Sequence, residues 1–284
     1  MIRSRWIAGL ALLMCLAAIA AGAARIIGPQ PLGPIEIFPG VSFRSDILPV
    51  TEEGGGRVDV VITDLRAPGL QLYVTPLDPA ALAKGFRYRL RWISEVTRTE
   101  RLSVVINAAM FASQSPFWFS LPGDLANSAF GTLVADHVVA DVQHSDLLWF
   151  DDQLQSHLRP WDTTLRPRDL AAAKWAIGGQ IILRDGQVAN PDGLDRRSNS
   201  RTAAAIDRQH HLFLAVAEDL SPRRFSERLA ELGATDGILL DGGSSSAMAI
   251  GGKPRGVTAG VVYGGWRPVA SYFGIRAPRA RQGQ

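Results

Sequence analysis

A single cysteine, Cys15, occurs among 284 residues, so no intrachain disulfide can staple this protein and its fold must rest on a buried core. Histidine is scarce too. His137, His144, His157, His210 and His211 stand at no metal-ligand spacing with cysteine, and the expectation is a chain without metal or cofactor. The sequence has no G-x-S-x-G elbow, no H-E-x-x-H, no P-loop, and no G-x-G-x-x-G between a strand and a helix. His144-Ser145-Asp146 strings triad residue types together, but triads assemble in space, so the run carries no weight. Internal repeats and low-complexity blocks are absent. Excess charge is small: the net value is +3, and Arg3 and Arg5 supply two of those charges at the extreme N-terminus. No basic stripe interleaved with aromatics appears, which argues against a nucleic-acid partner despite a pI near 9.3.

What is present is an ordinary globular composition, 46% hydrophobic and 20% charged, on a chain long enough to bury a substantial core. Residues 1–24 read as an export signal. Arg3 and Arg5 precede an apolar stretch from Trp6 to Ala24 that ends in small residues suited to cleavage. The same stretch is near the minimum for a membrane span, so a retained inner-membrane anchor is the rival reading. Met14 is bulky where a lipoprotein signal wants a small residue, which makes Cys15 filler. The expected location is periplasmic or secreted, with membrane anchoring through this segment as the variant. Residues 25–40, with Pro29, Pro31, Pro34 and Pro39, read as a linker or wrapping arm. Residues 41–278 read as one catalytic domain, and residues 279–284 as a polar tail.

Within the domain, short apolar strands alternate with turn signals. Val58–Ile62 and Leu70–Val74 flank Pro68-Gly69, a helix is expected between Pro79 and Arg101, and Leu102–Ile106 runs as a strand into Asn107. Hairpins are predicted at Asp136-His137 and at Asp185-Gly186, and a third across the polar stretch from Asp207 to His211. Ser221-Pro222 has the chemistry of a helix start. Phe225, Leu229 and Leu232 then share one face, and Gly233 supplies the stop. Ile238-Leu239-Leu240 delivers Asp241, and Val269–Ile275 closes the sheet. The predicted class is α+β (mixed α/β), a hairpin-rich mixed β-sheet core with packed helices in a single domain.

The strongest chemical signal is Asp241-Gly242-Gly243-Ser244-Ser245 directly after an apolar strand. Two glycines let the backbone approach a ligand, successive amides make an anion-binding concavity, and the hydroxyls add donors. Asp241 at the strand end suits a base, nucleophile or ligand anchor; a capped glycine-serine loop is the bland alternative. Arg201, at the entry of the run Thr202–Ile206, can hold phosphate through two parallel N–H bonds, though such an arginine is commonly an ion-pair residue. Asn107 offers a donor and an acceptor to sugar hydroxyls, or caps a turn. Glu218 follows the Leu212–Val216 strand as a reserve carboxylate, and Arg267 is a second phosphate contact.

In order, Val105-Ile106-Asn107, Phe130-Gly131-Thr132, Ile177-Gly178-Gly179, Ser200-Arg201-Thr202, Asp241-Gly242-Gly243-Ser244-Ser245 and Arg267-Pro268-Val269 resemble the phosphodiester glycosidase family, from Val104 to Ile275. The resemblance implies an exported hydrolase that splits a sugar-1-phosphodiester into free sugar and phosphomonoester. Its partner would be a sugar-phosphate or envelope-glycan substrate. By motif match Asn107, Arg201, Asp241, Gly242, Gly243 and Arg267 inherit site roles. With Glu218 as the reserve carboxylate and the hydroxyls of Ser244 and Ser245 added from their own chemistry, the expected catalytic residues are Asp241, Arg201 and Glu218, and the expected substrate-binding residues are Asn107, Gly242, Gly243, Ser244, Ser245 and Arg267. One departure stands out: the family shows glycine near the asparagine and two aromatics after it, where this chain has Ala108-Ala109-Met110-Phe111. The sugar-facing wall is therefore expected to differ. Ser113–Asn127, carrying Phe117, Trp118 and Phe119, would form an aromatic platform or a packed lid. Two alternatives stay open: an envelope phosphodiesterase cleaving P–O, and a non-catalytic periplasmic glycan-binding module.

Overall fold

The runs of β-branched and apolar residues between turn signals do form strands. The computed structural model describes residues 32–278, excepting 116–119, 162–169 and 191. The first strands are β1 (Leu32–Phe38), β2 (Val41–Thr51), β3 (Gly54–Asp64), β4 (Gln71–Val74), β5 (Tyr88–Arg89), β6 (Val104–Asn107) and β7 (Met110–Ser113). Then follow β8 (Leu125–Phe130), β9 (Leu133–Ala135), β10 (Val138–Asp141), β11 (Asp146–Phe150), β12 (Ser156–Arg159), β13 (Trp175–Arg184) and β14 (Gln187–Val188). The last are β15 (Asn199–Ile206), β16 (His211–Leu220), β17 (Asp236–Leu239), β18 (Ala247–Ile250), β19 (Gly260–Gly264) and β20 (Tyr272–Arg276). The described α-helices are short: α1 (Pro79–Leu82), α2 (Ile93–Thr99) and α3 (Pro222–Glu231). The single helix expected between Pro79 and Arg101 is thus two.

A 12-stranded sheet runs β1-β2-β3-β16-β15-β17-β13-β11-β12, with β9, β10 and β14 attached beside it. A five-stranded sheet runs β19-β18-β6-β20-β4, and β5-β8-β7 make a third. Every pairing among the described strands is antiparallel, and strands far outweigh helices, so the mixed sheet expected from sequence is corrected to an antiparallel one. The reason lies in the connections. Tight hairpins can join only antiparallel neighbours, whereas parallel neighbours need a long crossover. The helical crossover β16–α3–β17 does occur, but it straddles β15, so the two parallel strands it joins never pair.

The two predicted two-residue turns form as read. Asp136 and His137 have φ of 49° and 64°, and Asp185 and Gly186 have 51° and 79°, the doubly positive pattern that suits the strand twist. Ser221 caps α3, its Oγ accepting from the Arg224 amide at 3.1 Å, with Pro222 in the first turn. A correction falls on residues 25–40, expected to be a linker: Leu32–Phe38 is strand β1, paired to β2. Pro34 is tolerated because β1 is an edge strand and its register slips between Leu32 and Ile35, while Ile37 is fully buried.

Three layers of apolar contact hold these elements. Along β16, Leu212, Leu214 and Val216 point between the sheets, toward Val104, Ile106 and Phe273 of the five-stranded sheet. Phe213, Ala215 and Ala217 point the other way and are covered by Phe225 and Leu229 of α3. Burying each of those two side chains is worth about 1.5–3 kcal/mol. On the outer face of the smaller sheet, Ile93 and Val96 of α2 cover Tyr73, Val105 and Ala249. Both faces of the central strands are therefore largely apolar, and most of the polar side chains singled out from the sequence fall at their ends. Among the described residues no helix is long and apolar enough to cross a membrane. The expected signal or anchor at 1–24, the tail at 279–284, and Phe117, Trp118 and Phe119 lie outside the described residues.

Candidate active site

One end of the two-sheet stack gathers most of the residues singled out by sequence. β6 and β17 finish there, β15, β18 and β20 begin there, and their ends are knitted together. The Leu240 amide donates to the Thr202 carbonyl at 2.9 Å, and the Asp241 amide to the Ala108 carbonyl at 3.0 Å. Asn107 is the knot. Its Nδ2 donates to the Asp241 carbonyl at 2.7 Å, while its Oδ1 accepts from Thr202 Oγ1 at 2.8 Å and from the Ala247 amide at 2.9 Å. It is 1% exposed. Asn107 therefore positions Asp241 from below; the sugar-facing role expected of it is not where the structure places its side chain.

Asp241 sits partly buried at the mouth of the turn. Its Oδ1 accepts from the Gly242 amide at 2.9 Å, and the Ser245 hydroxyl also bonds it. Loss of water around the carboxyl pushes its pKa up to about 6; the two hydrogen bonds and the nearby Arg267 guanidinium pull against that rise without cancelling it. Arg267 lies over the Phe111 ring, 5.0 Å from its centroid, and donates to Ser120 Oγ at 2.8 Å. Burial lowers the pKa of Arg267, opposed by Asp241. Gly264, two residues after Val262 in β19, reaches this loop with φ of 62°; any Cβ there would run into the Ser246 carbonyl.

Gly243 adopts φ of 61° and opens a 3-10 turn, Gly243–Ser245. Its amide and that of Ser244 have no acceptor among the described residues, Ser244 is exposed, and the buried Ser246 Oγ has no partner either. Arg201 flanks the turn beside Gly242. Its Nε donates to the Leu220 carbonyl at 3.1 Å and its Nη2 to the Arg197 carbonyl at 2.6 Å. Asp195 stands 3.8 Å from that Nη2. Nη1 is left without a bond among the described residues, 4.0 Å from where a Cβ on Gly242 would stand. Two of the guanidinium's nitrogens are thus fixed by backbone, and the third is held ready beside the glycine turn.

Glu218 is placed differently. It projects from a bulge in β16, where the pairing with both β15 and β3 slips, and Asp219 beside it takes φ of 47°. Its electrostatic neighbours are Asp59 and Tyr263. Sequence reading missed the polar groups around Glu218. Ser200 Oγ and Tyr263 Oη hydrogen-bond at 2.7 Å, bridging the two sheets. Arg57 donates through Nε to the fully buried Asp59 at 2.8 Å and to Ser45 Oγ at 3.2 Å. Burial raises the pKa of Asp59 and of Tyr263. The signal that could have found Asp59 is a lone carboxylate in the apolar run Val58–Ile62.

A half-buried carboxylate with a raised pKa, two arginines and a glycine-serine turn with open amides thus gather at strand ends of a two-sheet antiparallel fold. The phosphodiester glycosidase family model matches residues 101–276, more than half of the sequence, and the chain belongs to that family of hydrolases. No curated protein sequence matches it. Among solved structures, a hypothetical protein from Synechocystis shares the fold at TM-score 0.67 and 15% identity, over 89% of this chain; the chain spans 64% of that protein's length. The zebrafish N-acetylglucosamine-1-phosphodiester alpha-N-acetylglucosaminidase catalytic domain, auto-inhibited by its pro-peptide, is similar at TM-score 0.61 and 14% identity, covering 88% of this chain and 87% of that domain.

Proposed function

We propose that this protein is an exported hydrolase of sugar-1-phosphodiesters, releasing the sugar and a phosphomonoester. The observation that carries the reading is the placement of half-buried Asp241 between Arg267 and a turn whose Gly243 and Ser244 amides and neighbouring Arg201 Nη1 are unspent. Arg201, Arg267 and those amides hold the phosphate and stabilise it as charge develops on departure. Asp241 takes a proton from water as the water oxygen bonds to the sugar C1 and the C1–O bond to phosphate breaks. Phosphate leaves readily, so little general-acid assistance is needed. Glu218, across the Ser200–Tyr263 bridge, borders the sugar or the group beyond phosphate. The printed name of the zebrafish relative supports the linkage class. The Ala108-Ala109 departure leaves the sugar itself to experiment. Residues 1–24 would direct the chain to the periplasm or keep it on the inner membrane.

The test is turnover of a panel of sugar-1-phosphodiesters by the full-length protein, with Arg201→Ala and Asp241→Asn alongside. Release of sugar and phosphomonoester, abolished by both substitutions, is the expected result. Absence of turnover across the panel by folded protein overturns the proposal and leaves a glycan-binding module. In heavy-oxygen water the label should enter the sugar; label in the phosphate would instead establish P–O cleavage.

A further inference from the structure

A second polar feature lies at the other end of the five-stranded sheet. There, a groove of about 1590 Å³ opens beside Ser103, where β6 starts and β18 and β20 end. Ser103 is four residues from Asn107, so the groove is about 13 Å from the carboxylate site along the strand. Arg98, Arg101, Lys253, Arg255 and Arg276 line it, and no aspartate or glutamate does among the described residues. Glu36 and Glu100 reach Arg255 and Arg276 only from outside the groove, each at 3.9 Å. Arg98, Arg101 and Lys253 make no ion pair among the described residues. Several arginines elsewhere are closely neutralised, among them Arg44 by Asp46 at 2.7 Å, Arg91 by Glu95 at 3.0 Å and Arg228 by Asp46 at 2.9 Å.

Two further observations separate this groove from a merely solvated basic surface. Arg101 adopts φ of 54° where α2 ends, a position that glycine or asparagine fills more easily, so the cation is kept there at a conformational cost. The groove also exceeds the roughly 300–1,000 Å³ of a single small-ligand pocket. It is concave, and of its lining residues only Val261 is a large apolar side chain substantially exposed, at 45%. A flat membrane surface needs protruding cations and apolar anchors; an extended chain fits a trough.

We propose that this groove is a binding site for a linear polyanion bearing repeated phosphate groups, separate from the carboxylate site and independent of its chemistry. Arg98, Arg101 and Lys253, which have no ion-pair partner among the described residues, gain the most from a ligand that brings several phosphates at once and releases its own condensed counter-ions.

Titration of the full-length protein with inorganic polyphosphate, followed by fluorescence anisotropy across a salt series, tests it. The variant R98Q/R101Q/K253Q alters exposed residues only. It should bind at least about tenfold more weakly at low salt and flatten the salt slope by about 2. Orthophosphate at equal total phosphate should compete weakly, since one phosphate meets few of the five cations. Anionic and neutral vesicles form the second arm, with residues 6–24 present equally in both. Polyphosphate affinity that is absent, or unchanged in the variant, overturns the proposal. So does groove-dependent binding confined to anionic vesicles, which would assign the face to a membrane. Hydrolysis of any small phosphodiester that the wild type turns over should be unchanged in the variant, so failure of this proposal and failure of the assigned activity remain distinguishable.

Discussion

Replacing Asp241 by asparagine should make the protein more stable and less active, with a pH signature in both. The side chain keeps its shape, and Oδ1 can still accept from the Gly242 amide. What disappears is an ionisable group whose pKa is raised from 3.8 to about 6 by loss of water. A rise of about 2 units corresponds to about 3 kcal/mol of differential stability between the charged and neutral forms. Because the folded state holds this proton more tightly than the unfolded chain, the favourable contribution is complete below 3.8 and is lost as pH rises through 6. Wild-type protein at pH 8 therefore carries the full penalty of a buried charge, and the variant carries none. The stability difference, variant minus wild type, should be near zero at pH 3.5 and grow to about 3 kcal/mol above pH 7. Urea denaturation at matched pH values measures it, since titrations of all other groups cancel in the difference. In thermal melts the pH 8 gap should be about 6–12 °C for a chain of this size. Turnover should rise with pH through about 6 in the wild type, as Asp241 ionises to accept a proton, and fall by about 10²–10⁴ in the variant. A difference that stays flat from pH 3.5 to 8, or a variant less stable than wild type at pH 8, would refute the reasoning. It would mean that Arg267 and Ser245 already compensate the carboxylate in full.

Other outcomes follow from the same geometry. Asn107→Ala strips partners from the Asp241 carbonyl, Thr202 Oγ1 and the Ala247 amide, and should cost about 2–5 kcal/mol in denaturant titrations as well as activity. Asn107→Asp loses the donor to the Asp241 carbonyl and buries a carboxylate in its place, so at neutral pH it should cost at least as much. Arg201→Lys cannot reproduce a guanidinium fixed at two nitrogens with the third presented to the turn; KM for phosphodiester should rise at least about tenfold. Tyr263→Phe leaves Ser200 Oγ without its cross-sheet partner and should lower stability by about 1 kcal/mol, read from urea midpoints. Ser221→Ala removes both the helix cap and the bond from Ser221 Oγ to Glu53 Oε2, and should cost about 1–2 kcal/mol, read from urea midpoints.

Local chemistry accounts for what was legible in the sequence: which residues turn, cap and bury. Asp136-His137 and Asp185-Gly186 needed only their own left-handed tolerance to make hairpins, and Ser221-Pro222 needed only its own hydroxyl and ring to start α3. Asp241-Gly242-Gly243-Ser244 was recognisable because a turn of open amides is built from consecutive residues. Pairing beyond nearest neighbours was not legible. Whether β16 and β17 meet, or lie on either side of β15, depends on contacts more than twenty residues apart, which no local preference encodes. The same holds for the site: Asn107, Thr202, Asp241 and Ala247 meet because four strand ends coincide, and that convergence turned a supposed sugar contact into the support beneath the carboxylate. Asp59 and Tyr263, which sequence reading passed over, become electrostatic neighbours of Glu218 only because the strands that carry them pack together. The family and the residue types at its site follow from sequence motifs. Their distances, their burial and the raised pKa of Asp241 belong to tertiary structure, because only packing removes water from a charge.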